Sequence, residues 1–443
     1  MTSGPDTIVA VATAPGRGGI GVVRLSGSPS SVAAIARQLL NKSPSSRRAM
    51  RCRAQDGDGE PLDDGIALLF PAPFSYTGEE VLEFHGHGNP ILLAEIVRRC
   101  VDLGARPAEP GEFTQRAFVN GKLDLAQAEA VADLIGATTS RAAKGALRSL
   151  DGAFSESVHR VERSLIHIRK LIEAHLDFAE EEIPLDQAGV TRLLEDLLGD
   201  LAMLSASARQ GQMLRDGVNV ALVGAPNVGK SSLLNALAGA DLAIVTPIAG
   251  TTRDVIRADI ELDGVRFTVM DTAGLRESDD PVEREGIERT QKATHAADLI
   301  LLMEVDGSPQ HPFARTTAGT PVIRVWNKID LTDTSPGTSK EAGDTEVWLS
   351  VKTGAGLDEL RQCLIRESGA PGAEEGTFVA RARHLAALGT AKQGVARALT
   401  VTEAPELCAE ELRMVQNALN SITGEFLADD LLGEIFRDFC IGK

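Results

Sequence analysis

The octapeptide GAPNVGKS, Gly224 to Ser231, constrains this chain more than any other stretch. It follows the apolar run Val218–Val223 and leads into Ser232–Leu237, which has helical spacing. Strand, loop and helix therefore come in the order that a phosphate-binding loop requires. Glycines let backbone N–H groups converge on phosphate oxygens, and the helix N-terminus adds the positive end of its dipole. Lys230 is expected to reach the β- and γ-phosphates, and the Ser231 hydroxyl to ligate Mg2+. Val228, Gly229 and Ser232 complete the cradle. The plain alternative, a chance Gly-rich turn, does not account for the flanking strand and helix.

Two further motifs follow at the right order and spacing. The strand Val265–Met270 pairs across an Asp263-Gly264 turn with Ala258–Leu262 and ends in DTAG, which is Asp271, Thr272, Ala273 and Gly274. Asp271 is expected to hold Mg2+ through water, and the Gly274 N–H to meet the γ-phosphate. Thr252, in the loop Ala249-Gly250-Thr251-Thr252, is placed to ligate Mg2+ and sense the γ-phosphate, which makes that loop a switch. After the strand Val322–Trp326 comes NKID. Asp330 can accept two N–H groups of guanine that adenine does not offer, while the Lys328 stem lies along the base beside Asn327. Ser350, with the backbone at Val351 and Lys352, is expected to hold the guanine oxygen. The expected substrate is GTP, with GDP as product. Leu275 stands where many GTPases have a water-orienting Gln, and only Arg253 and Arg276 lie in the switch loops as candidate cationic helpers.

At 443 residues the chain is too long for one core. Residues 1–121 are punctuated by Gly and Pro, with short apolar runs at Thr7–Ala12, Gly19–Leu25, Gly65–Phe70 and Glu80–Phe84 that predict strands, and a helix over Ile91–Leu103. Residues 122–213 carry long amphipathic segments, Leu123–Ala137, Ser140–Ser149, Phe154–Phe178 and Thr191–Gln210. Alternating strands and helices fill 214–378, and helical spacing returns over 379–443 in Arg381–Leu399, Glu406–Ile422 and Leu427–Phe439. This predicts an N-terminal α/β domain, then a helical domain interrupted by an inserted Ras-like α/β module.

Five cysteines are scattered with no CxxC pair, which gives no disulfide or zinc framework. No apolar run approaches the roughly 20 residues of a membrane span, and no secretory leader is visible, so the expected location is the cytoplasm. A net charge of −18 argues against broad non-specific nucleic-acid binding. Local basic faces remain: Arg47, Arg48, Arg51 and Arg53 form one cluster, and Arg141, Lys144 and Arg148 another. A solvated face is the ordinary reading of either.

Three stretches outside these motifs resemble the MnmE (TrmE) tRNA-modification GTPases: Asp6–Gly27, Gly111–Ile135, and Ile422–Lys443 with its Cys-Ile-Gly-Lys end. The resemblance spans essentially the whole chain. It implies an N-terminal folate-binding domain that dimerises, a helical domain, and an inserted P-loop G domain. It also implies a homodimer working with an FAD-dependent partner, MnmG, as a heterotetramer. Together these would place an aminomethyl or carboxymethylaminomethyl group on the wobble uridine of certain tRNAs, the carbon coming from 5-formyl- or methylene-tetrahydrofolate. Arg24, Glu83, Lys122 and Lys443 resemble the family's folate contacts. Asn227, Thr246, Ile248 and Thr251, with Pro247 inside the loop, resemble its K+ site, and Glu283 the residue that helps orient the attacking water. Cys440 reads either as a small core residue or as a nucleophile or proton donor. Two competing functions are a regulatory switch that binds RNA or the ribosome, and a nucleotide-gated assembly scaffold.

Overall fold

The computed structural model describes residues 6–177, 186–240, 257–271, 297–306, 320–332, 334–341, 344–369 and 378–425, together with Ile435, Phe436, Phe439 and Gly442. The chain folds as two compact units. One comprises Met1–Ala132, Leu150–Glu162 and Arg413–Lys443; the other comprises Asp133–Ser149 and Arg163–Leu412.

The first unit is built on a six-stranded sheet of β1 (Ile8–Val11), β2 (Gly18–Gly27), β3 (Met50–Gln55), β4 (Pro61–Phe70), β5 (Glu80–Gly88) and β6 (Arg106–Pro107), in the order β3-β4-β5-β2-β1-β6. All pairings are antiparallel except β1 with β6. Helices α1 (Pro29–Leu40) and α2 (Pro90–Asp102) cover one face. Each starts with Pro after a capping side chain, Ser28 accepting from the Ser31 N–H and Asn89 from the Ile91 N–H. Both caps satisfy a helix-end donor, and Pro fits where the N–H would be unused. Val32, Ile35, Leu39 and Ile96 pack onto Leu25, Leu82 and Phe84 to make the core. The four strands expected from apolar runs are present. The edge strand β3 was hidden because it alternates Arg51 and Arg53 outward with Cys52 and Ala54 inward, a pattern that reads first as a charge cluster.

Helices α3 (Glu112–Val119), α4 (Leu125–Gly136), α5 (Ser140–Leu150), α6 (Ala153–Asp177) and α7 (Gln187–Asp216) follow. α7 is longer than its expected span: Asp186 caps it by accepting from the Gly189 N–H, and it runs to Gly217. Pro184, which stands between the segments expected over Phe154–Phe178 and Thr191–Gln210, lies outside the described residues.

In the second unit the seven strands are β7 (Val218–Gly224), β8 (Arg257–Leu262), β9 (Val265–Asp271), β10 (Leu299–Val305), β11 (Val322–Asn327), β12 (Gly337–Glu341) and β13 (Asp344–Trp348). Their order is β12-β13-β11-β10-β7-β9-β8. β7 pairs in parallel with both β9 and β10, so it is central and buried on both faces. Val220 and Leu222 join the larger core with Leu233 and Leu360, while Ala221 and Val223 pack with Ile300 and Leu302 on the other side. That double burial explains why Val220–Val223 reads as a continuous apolar run. Helices α8 (Lys230–Ala240) and α9 (Leu357–Ser368) belong to this unit, as does α10 (Ala382–Thr400), which packs along α7; α11 (Pro405–Thr423) follows in the chain. Among the described residues no helix is long and apolar enough to cross a membrane.

Candidate functional site

The phosphate loop leaves the C-terminal end of β7, where neighbouring strands diverge to either side, the usual place for a ligand on an open parallel sheet. Asn227 sits exposed at its tip with φ 62, and the buried Val228 anchors the loop to the core. Gly229 has φ 107, and a Cβ there would lie 2.4 Å from the Asn327 amide nitrogen, so no other residue fits. α8 begins at Lys230, with Ser231 and Ser232 exposed in its first turn. Lys230 is 7% exposed, and its Nζ donates to the carbonyls of Gly224 (2.7 Å) and Ala225 (2.9 Å). A buried ammonium held by two carbonyls at the loop's mouth can be transferred to phosphate oxygens, which offer it full negative charge.

The base-reading motif is tied directly to this loop. The Asn327 amide donates to the Val228 carbonyl at 2.7 Å, and its oxygen accepts from the Val351 N–H at 3.1 Å. Lys328, at φ 69, donates from Nζ to the Asn227 carbonyl at 2.9 Å, leaving its stem across the loop. Ser350 is 1% exposed and donates from Oγ to Asp330 Oδ1 at 2.7 Å, while accepting from the Thr353 N–H. Ser350 therefore orients Asp330, and the Val351 N–H is already engaged by Asn327. Of the expected guanine-oxygen donors, this leaves the Lys352 N–H, which takes no acceptor among the described residues. The structure thus brings together residues 227–232 with Asn327, Lys328, Asp330 and Ser350–Lys352. Asp271 ends β9, parallel to β7 and paired with Leu222. Thr246–Arg253, Thr272–Gly274, Arg276 and Glu283 lie outside the described residues.

A second cluster occupies the first unit. Arg24 on β2 donates from Nε to Glu83 Oε1 at 2.8 Å, and His85 Nε2 sits 2.9 Å from Glu83 Oε2. The two strands are paired so that Arg24 faces Glu83 directly. The Arg24 guanidinium also lies over the rings of Tyr76 (5.6 Å) and Phe113 (5.8 Å). Burial pushes the Tyr76 phenol up, partly offset by its hydrogen bond with Thr114, so it stays neutral under the cation. Arg24 Nη1 reaches the Gly442 carbonyl at 3.4 Å, which brings the end of the chain to this pair. Lys122 is exposed, with its stem beside Gly78, and makes no ion pair with Glu83 among the described residues. Cys440 and Lys443 lie outside the described residues. His85, Tyr76 and Phe113 were not anticipated. The period-two alternation of β5 would have put His85 on the Glu83 face, but the aromatic pair comes from distant segments.

The family model described as "MnmE helical domain" matches residues 125–440, and that described as "GTP-binding protein TrmE N-terminus" matches residues 7–122. The chain belongs to the MnmE family. The protein named tRNA modification GTPase MnmE from Azoarcus sp. is 52% identical over 99% of this chain and 98% of its own length. The protein of the same name from Thiobacillus denitrificans is 53% identical over the same shares. Among solved structures, Era from Aquifex aeolicus bound to GDP and aluminium fluoride is 27% identical over 40% of this chain and 66% of that one, with a TM-score of 0.27. Membership in the MnmE family rests on the full-length relatives. The order phosphate loop, DTAG, NKID and SVK is thus carried by a member of a GTPase family, with the described parts joined by the Asn327 and Lys328 hydrogen bonds.

Proposed function

We propose that this chain hydrolyses GTP to drive modification of the wobble uridine in certain tRNAs, working as a homodimer with an FAD-dependent MnmG-type partner. The domain layout that goes with this reading is 1–121, 122–213, 214–378 and 379–443. The single observation that supports it most is the Arg24–Gly442 contact, because it joins the terminal Cys-Ile-Gly-Lys motif to the Arg24–Glu83 pair. A folate heterocycle fits such a place: Glu83 is a fixed carboxylate acceptor for N–H groups, and the Tyr76 and Phe113 rings supply flat apolar surface. The folate would supply the one-carbon unit. Arg24, Glu83 and His85 would hold and orient it, and Lys122, Lys443 and Cys440 are further candidates from the sequence.

On the GTP side, Lys230 neutralises the β- and γ-phosphates and backbone donors of residues 228–232 hold them in line. Asp330, oriented by Ser350, selects guanine. Ser231, exposed in the first turn of α8, together with Thr252 and Asp271 from the sequence, supplies hydroxyl and carboxylate oxygens of the kind that Mg2+ takes. Asn227, exposed and left-handed at the loop tip, is free to turn its side-chain oxygen toward a K+ completed by Thr246, Ile248 and Thr251. When bound, the two cations would neutralise charge that grows between the β- and γ-phosphates. Glu283 would orient the attacking water.

The deciding experiment is mass spectrometry of tRNA wobble uridines from cells lacking this protein, with complementation by wild type and by Glu83→Gln. Loss of the modified uridine, restored by wild type and not by the variant, is expected. Full modification in the deletion strain would overturn the proposal.

A further inference from the structure

The edge strand β3 carries a charge pattern at odds with the rest of the molecule. From Asn41 to Ala54 the chain has Lys42, Arg47, Arg48, Arg51 and Arg53 and no carboxylate, within a protein of net charge −18. All five cations are exposed. They are not on a loose loop: the Arg47 N–H donates to the Leu69 carbonyl at 2.8 Å, Ser46 bridges Leu69, and the Arg47 side chain holds the Phe74 carbonyl. Arg53 forms an exposed two-point pair with Asp64 at 3.0 and 3.1 Å. Among the described residues no carboxylate pairs with Arg48 or Arg51. The strand's other end turns through Asp56, Asp58 and Glu60, so charge along this edge runs from basic to acidic and gives it a direction.

Strand register fixes what shares this face. Arg51 pairs with Ile66, Ile66 with His85, and His85 with Val22, so these four project from the same side. Alternation along β5 and β2 puts Glu83 and Arg24 there too, while α1 and α2 cover the opposite side. With strands about 4.8 Å apart, Arg51 stands about 10 Å across the sheet from His85. Arg51 and Arg53, with Asp64 beside them, and the Arg24–Glu83–His85 cluster therefore occupy one sheet face.

We propose that the Lys42–Arg53 edge is an RNA-docking strip that holds the sugar–phosphate backbone of tRNA beside the Arg24–Glu83–His85 cluster. This rests on tRNA being the substrate. Charge decides the occupant: an overall acidic protein repels a polyanion except where cations outnumber nearby acids, as along Lys42–Arg53, where Asp64 pairs with Arg53. Arginine also suits phosphate, since its planar fork can donate two hydrogen bonds to one group.

The test is binding of an unmodified tRNA transcript to the full chain across a NaCl series, with GDP present throughout. Wild type, Arg48→Ala/Arg51→Ala, Arg48→Lys/Arg51→Lys and Asp58→Asn/Glu60→Gln are compared, and GTP turnover without tRNA is measured as a control for folding. Losing two phosphate contacts should flatten the slope of log affinity against log salt by about 1.4–1.8. The lysine pair should keep most of the slope, and neutralising the acidic turn should tighten binding. GTP turnover should be unchanged in all four. If wild type binds and the alanine pair keeps its full slope, the strip is overturned while the tRNA reading stands. Wild type that binds no tRNA, even with the MnmG-type partner added, sinks the substrate reading itself.

Discussion

Ser350, almost fully buried, fixes one oxygen of Asp330 at 2.7 Å, which orients the carboxylate for the proposed guanine contact. Asp330→Asn should therefore shift preference from guanine to xanthine, since the amide presents a donor where guanine offers another. One mispaired polar group costs about 1–3 kcal/mol, or about 5- to 150-fold in affinity. Direct titration with GTP and XTP checks this, and unchanged GTP affinity would remove Asp330 from the base site. His87 gives a second prediction at this scale. Its ring Nδ1 bonds Asp63 at 2.6 Å, and that hydrogen bond, then the carboxylate's charge, raises the imidazole above its ordinary value, with Asp64 adding to it. A raised folded-state value means the stabilisation is fully present below about pH 6.5 and fades as pH climbs through the folded value. An NMR titration should find His87 titrating higher than a free histidine, and Asp63→Asn should bring it down. A titration unaffected by that substitution would show that the pair does not control it.

The β8–β9 hairpin matters most among the elements, because the switch segment with Thr252 precedes β8 and the DTAG residues begin at the end of β9. Its turn is gripped by the start of α5. Thr139 Oγ1 donates to the Gly264 carbonyl at 2.8 Å, and Arg141 donates to the Asp263 carbonyl at 2.7 Å. Arg266 on β9 donates to the Asp216 carbonyl at the end of α7. Arg141, which in sequence reads as part of a basic face, is thus an internal clamp. Gly264 has φ 76, and a Cβ there would lie 2.3 Å from Arg141 Cδ. Gly264→Ala should cost about 1–2 kcal/mol from the left-handed backbone alone. The steric part should be relieved when Arg141→Ala is added, so the double variant should lose less than the sum of the two singles. Denaturant unfolding of the set measures this; simple additivity would mean the clamp is not the neighbour that matters. Another buried tie in this unit is Asp133, which holds Arg215 at 2.8 Å and Arg381 at 2.7 Å, joining α4, α7 and the start of α10.

For the whole molecule the sharpest question is what replaces the missing Gln at Leu275. We expect turnover to be fast in KCl and slow in NaCl at equal ionic strength, because a cation beside the phosphates can take the role of an arginine finger, worth about 10³–10⁵ in rate. Asn227→Ala should lose the K+ stimulation, since an aliphatic side chain offers no oxygen to an ion. Glu283→Ala should still associate in K+ with a transition-state analogue bound, yet hydrolyse slowly. Equal wild-type rates in the two salts would end the cation mechanism for this protein.

Local chemistry makes the nucleotide motifs legible in the sequence itself. Gly229 and Lys230 act through their own backbone and helix N-terminus, the double burial of β7 shows as the apolar run Val220–Val223, and Asp330 follows its strand at fixed spacing. The long helices over 122–213 and the Arg381–Leu399 and Glu406–Ile422 helices are equally plain, because a 3.6-residue period survives in sequence whatever packs against it; the expected Leu427–Phe439 helix lies largely outside the described residues. Pairings between distant segments were not legible. Nothing in the sequence says that Asn327 bonds Val228 and Val351, that Ser350 serves Asp330 more directly than the base, or that Arg141 holds a turn 122 residues away. Nor does it show that the Arg24 guanidinium lies over the Tyr76 and Phe113 rings and reaches the Gly442 carbonyl. Hydrogen bonds and ring contacts depend on distances of a few ångströms in space, and those are set by strand register and helix packing.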